Sequence, residues 1–82
     1  MIKRTITATA SMEARQAALF VQAASKFQSD IYIIIDEKKV NAKSIMGIIS
    51  IGILDGQQLT ITADGSDAEA AIAELHGFFL GK

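Results

Sequence analysis

Ile2, Ile6 and Ala8 alternate with Lys3, Thr5 and Thr7 at the start of the chain. That period of two predicts a half-buried strand, with Arg4 the one charged residue on its apolar side. From Ala14 the period lengthens. Ala17, Phe20, Val21, Ala24 and Phe27 form one stripe of a helix, and Arg15, Gln22, Ser25 and Lys26 fill the opposite face. Ile31 to Ile35 reads as a second strand, and Val40-Asn41-Ala42 as a short return strand. A two-residue loop between them would hold Glu37 at positive φ, and a slightly longer loop is the alternative. Ser44 then caps a short aliphatic helix that stops near Gly52. After the Asp55-Gly56 turn, Leu59, Ile61 and Ala63 alternate with Thr60 and Thr62 as a fourth strand. Ser66-Asp67-Ala68-Glu69 has the spacing of a capping box and opens a last helix. Ala68, Ala71, Ile72, Leu75, Phe78 and Phe79 lie on one stripe of it.

The order β-α-β-β-α-β-α predicts an α+β fold. One open antiparallel sheet of four strands, with three helices on one face, buries every apolar stripe. With 82 residues there is length for one domain, 1–82. Half the residues are apolar and 21% are charged, which excludes a disordered chain. Aromatics are scarce, so the core falls to aliphatics, thirteen of them isoleucine.

Charge and chemistry then narrow the functions. A net charge of −1 draws no phosphate backbone, and neither a basic stripe nor stacking aromatics point to direct nucleic-acid binding. The absence of cysteine removes disulfides, thiolate nucleophiles and cysteine-ligated zinc, and fits a reducing cytoplasm. His76 alone cannot build a metal site. Its place off the apolar stripe of the last helix predicts an exposed histidine near a helix end. The longest apolar run, residues 45–54, is interrupted by glycine and serine and is too short for a membrane span. No catalytic set can be assembled, so no enzymatic role, cofactor or metal is expected. Two residues stand out. Ser44 sits at a helix start, where a phosphate would meet backbone N–H groups and a favourable dipole. Arg15, at the start of the first helix, could meet an anion, although a plain solvated arginine is the simpler reading. Glu13 in front of that helix complements its dipole.

At these residues the chain resembles a known family. Asn41-Ala42-Lys43-Ser44-Ile45-Met46-Gly47, followed by an aliphatic helix and Asp55-Gly56, is similar to the regulatory-serine segment of HPr, the phosphocarrier of the bacterial sugar phosphotransferase system. Met12-Glu13-Ala14-Arg15-Gln16-Ala17-Ala18 aligns with that family's active-histidine motif. Glu13 stands in place of the histidine, and Gln16 in place of a proline. The resemblance covers nearly the whole chain and implies the open-faced β-sandwich of that family. A glutamate cannot form a phosphoramidate, so the pattern is nearest to Crh, the branch of catabolite repression that lacks the histidine and keeps the serine.

For this chain the resemblance implies Ser44 as acceptor for HPr kinase/phosphorylase. It implies Arg15, Ile45, Met46 and Ile49 as the face that meets the catabolite control protein, a LacI-type repressor, and it implies a cytoplasmic protein. Contacts with phosphotransferase-system proteins and a homodimer formed by exchange of the first strand are further expectations. Glu13 either imitates a phosphohistidine or marks drift after loss of the carrier role. Two other readings stay open: a divergent phosphocarrier, and an interaction module without phosphoryl chemistry.

Overall fold

The structure is a computed structural model that describes residues 1–80 of the chain. Its elements are β1 (Ile2–Thr7), α1 (Ala14–Ser25), β2 (Asp30–Ile35), β3 (Lys38–Asn41), α2 (Ile45–Ile51), β4 (Gln58–Asp64) and α3 (Ala68–His76), followed by a 3-10 turn, Gly77–Phe79. The strands form one antiparallel sheet in the order β1-β4-β2-β3. This is the expected four-stranded α+β arrangement.

Alternation along the strands sends Ile6, Ile31, Ile33, Ile35, Leu59, Ile61 and Ala63 inward, all buried. The helices close over them with Ala17, Phe20, Ala23, Ala24, Ile48, Ile51, Ala71, Ile72 and Leu75. Phe20 meets Phe78 and Phe79 edge-on, with ring centroids 5.6 and 5.3 Å apart, the favoured geometry for opposed ring quadrupoles. Arg4, opposite Ile61 on the edge strand, stays exposed.

Several local expectations need correction. The stripe of α1 is turned slightly: Ala23 is buried, whereas Val21 and Phe27 are only half-buried. The β2–β3 loop does have two residues, since Ile35 pairs with Lys38, but positive φ (54°) falls on Asp36 rather than Glu37. A short acidic side chain tolerates that conformation better than a glutamate does. Strand β3 begins at Lys38, earlier than Val40, and Ala42 follows it while still donating its N–H to Ile31 O at 2.9 Å. The last helix ends at His76, and Phe78 and Phe79 belong to the 3-10 turn beyond it. His76 is half-buried rather than exposed.

The expected capping box does not form. Asp67 occupies the cap of α3 and makes no cap hydrogen bond with its side chain. Its carboxylate instead accepts from Gln28 N at 2.9 Å, from Ser29 N at 3.0 Å and from the Ser29 hydroxyl. These bonds, led by the Ser29 hydroxyl, hold the Asp67 carboxyl below its ordinary pKa. They tie the start of α3 to the loop after α1 across 38 residues of chain. Gly65 completes the joint. A Cβ there would stand 2.7 Å from Ser29 Cα, and its φ of 156° suits no side chain well.

Candidate functional site

The residues singled out by sequence lie on α1, α2 and the loops that begin them. Ser44, in extended conformation (φ −108°, ψ 114°), is the N-cap of α2, and its Oγ accepts from Gly47 N at 3.2 Å. The preceding loop is held in place by its own side chains. Asn41 Oδ1 accepts from Lys43 N at 2.8 Å, and Asn41 O accepts from Ser44 N at 3.0 Å. Lys43 Nζ donates to Phe27 O at 2.7 Å, which pins the start of α2 against the residues just past α1. Gly47 lets α2 approach β3 closely, because a Cβ there would lie 3.2 Å from Val40 Cβ. Helix α2 stops at Gly52, whose φ of 67° is the left-handed cap that glycine supplies at least cost.

At the other end, Met12 N donates to Ile53 O at 2.9 Å, and Ser11 Oγ accepts from Asp55 N at 3.1 Å. The start of α1 therefore lies beside the end of α2, and the two helices run antiparallel. Glu13 is the N-cap of α1, exposed and without a side-chain cap bond. Arg15 is exposed one turn before Leu19 on the same helix face. So the structure places Glu13 and Arg15 at one end of the helix pair and Ser44 at the other; it does not bring them together.

An uncovered apolar surface joins the two ends. Ile48 and Ile51 turn into the core, whereas Ile45, Met46 and Ile49 on α2 are exposed, Met46 to 74%. Leu19 on α1 and Leu54 after α2 are exposed as well, and the sequence reading passed over both. Leu19 carried a signal, since it falls outside the Ala17-Phe20-Ala24 stripe and four residues after Arg15. Single exposed apolar residues are ordinary, but five in one neighbourhood mark an interaction surface. A shallow cavity of about 450 Å³, lined by Thr5, Ile34, Asp36 and Thr60, lies on the helix-free side of the sheet. Among the described residues no three His, Cys, Asp or Glu come together to hold a metal, and no helix is long and apolar enough to cross a membrane. His76 ends α3, on a different helix from Glu13 and Ser44.

Known proteins are similar to this chain in sequence and fold. The family model "PTS HPr component phosphorylation site" matches residues 2–80. The HPr-like protein Crh of Bacillus subtilis (strain 168) is 46% identical over 67 residues, 82% of this chain and 79% of that protein. The phosphocarrier protein HPr of Bacillus anthracis str. Ames superposes with a TM-score of 0.90 at 46% identity, over 95% of each chain. A crystal structure of B. subtilis Crh, described as a dimer with a swapped domain, superposes with a TM-score of 0.78 at 44% identity, over 87% of this chain and 82% of that one. The match across residues 2–80, carried by the same sheet and helix pair, makes this chain a member of the PTS-HPr family.

Proposed function

We propose that this protein is an HPr-like regulator of catabolite repression in the cytoplasm, phosphorylated on Ser44 by HPr kinase/phosphorylase and then bound by a LacI-type catabolite control protein. The observation that carries the reading is the position of Ser44. Its hydroxyl caps α2 at the margin of the Ile45, Met46 and Ile49 surface. A phosphate there adds about −1.5 to −2 charges beside an apolar contact area. The partner then reads two things at once, a basic group for the phosphate and an apolar pocket for the isoleucines and Met46. Without the phosphate, the apolar area alone binds weakly. The loop bonds of Asn41 and Lys43 already fix the backbone that carries the serine, so the modification changes charge more than shape.

Glu13 separates this reading from a phosphocarrier role. A carboxylate at the start of α1 offers no imidazole nitrogen for a phosphoramidate, and His76 lies on another helix. The protein acts as the modified partner in such exchanges and not as a catalyst. Dimerisation through exchange of β1 is supported by the swapped Crh relative and is proposed here as a secondary state.

Incubation with ATP and HPr kinase, followed by intact-mass measurement, tests the reading. One phosphoryl group is expected on the wild type and none on Ser44→Ala. Phosphoryl transfer from phosphoenolpyruvate through enzyme I is expected to leave the mass unchanged. A wild type that gains nothing from the kinase removes the regulatory reading.

A further inference from the structure

Met46 is the most exposed large apolar side chain apart from the terminal Met1. It occupies the second position of α2, two residues after Ser44, with Ile45 beside it and Ile49 one turn on. The other two methionines sit elsewhere. Met12 is half-buried against the core, and Met1 lies beside Gly65 and Asp67 near the start of α3. The chain has no cysteine, so no thiol within the molecule competes for an oxidant. A thioether is then the most readily oxidised side chain present.

We propose that Met46 is a redox-sensitive modification site, whose oxidation to the sulfoxide by a peroxide withdraws the α1–α2 face from its protein partner. The inference rests on the partner reading above. The Met46 sulfur attacks one peroxide oxygen; the O–O bond breaks as the S–O bond forms. Sulfur loses two electrons, and the departing oxygen takes up the proton and leaves as water from hydrogen peroxide, or as an alcohol from an alkyl peroxide. The product carries a strong polar acceptor beside Ile45 and Ile49, which offer it no donor, while the hydroxyl of Ser50, one turn on, already donates to Gly47 O at 3.0 Å. Burying that oxygen in an apolar pocket without a hydrogen bond opposes docking. A thiol-dependent sulfoxide reductase restores the thioether. Ser44 and Met46 then place two opposed controls within one helical turn, phosphate promoting contact and sulfoxide withdrawing it.

The test uses hydrogen peroxide on the full chain already phosphorylated at Ser44, with peptide mapping to locate added oxygen. Met46 and Met1 are expected to gain oxygen well before Met12. Affinity for the catabolite control protein is expected to fall by about tenfold or more on oxidation and to return after reductase treatment. Met46→Leu keeps an apolar side chain that peroxide does not oxidise, and whatever affinity it has before peroxide is expected to be the same afterwards, even with Met1 oxidised. Equal affinity of the oxidised and reduced wild type overturns the inference, as does a Met12 that reacts as fast as Met46. A Met46→Leu protein that loses affinity to peroxide as the wild type does also overturns it. A phosphorylated, unoxidised chain that fails to bind at all overturns the partner reading and this inference together, whereas binding that survives Met46 oxidation overturns this inference alone.

Discussion

Asp67 shows how much one carboxylate can organise. It takes two backbone N–H groups and a hydroxyl from the Gln28–Ser29 segment, and these bonds favour its charged form. Its folded pKa is depressed, so its stabilising contribution is complete above the unfolded value of about 3.9 and disappears as pH falls through the folded value. The urea midpoint of the wild type is therefore expected to drop on acidification below pH about 5. That of Asp67→Asn should start lower and follow a shallower acid slope. Parallel slopes for the two proteins would show that Asp67 is not the titrating group. Nothing in the sequence near Asp67 announces this role. Ser66-Asp67-Ala68-Glu69 spells a local cap, and the partners that displaced it lie 38 and 39 residues away.

Elements were more legible than the contacts between them. Periods of two and of 3.6 located β1, β4, α1 and α3, because burial on one face leaves that imprint in the chain, whereas α2 was marked by its Ser44 cap and Gly52 stop. Errors fell where tertiary packing decides. Ala23 is buried on a helix that packs beside both α2 and α3, a contact that alanine and a larger apolar residue can each fill. Of the α1–α2 face, Ile45, Met46 and Ile49 came from likeness to a known segment. Leu54 could not have been separated from core leucines by pattern alone. Helix α2, only seven residues long, depends on its ends. Gly52→Ala is expected to cost roughly 1 kcal/mol, measured by urea unfolding. No atom stands within 4 Å of the added methyl group, so the whole loss comes from the left-handed backbone. Ser44→Ala removes the other end and costs about 1 kcal/mol, so the variant used as the kinase control should remain folded.

At the scale of the whole molecule, the sheet is built from distant pieces. β1 pairs with β4 and β4 with β2, so the first strand is placed only after most of the chain has been made. Phe20 is the common contact, since it joins α1 to the 3-10 turn through Phe78 and Phe79. Phe20→Ala is expected to cost about 3 to 5 kcal/mol. A chain of this size holds only about 5 to 10 kcal/mol in all, so the variant should unfold far below the wild-type temperature by calorimetry. An unchanged melting temperature would mean that the helices close over the cavity. The bare side of the sheet has a practical consequence. Tyr32, the single tyrosine in a chain without tryptophan, lies there with the Lys39 amine 4.5 Å from its ring centre. All of the chain's intrinsic fluorescence above the phenylalanine range thus comes from the side of the sheet away from α1 and α2. A partner docking on those helices leaves that emission nearly constant, while loss of the β2–β3 hairpin changes it. One optical signal can therefore certify that the fold is intact while a separate probe follows binding.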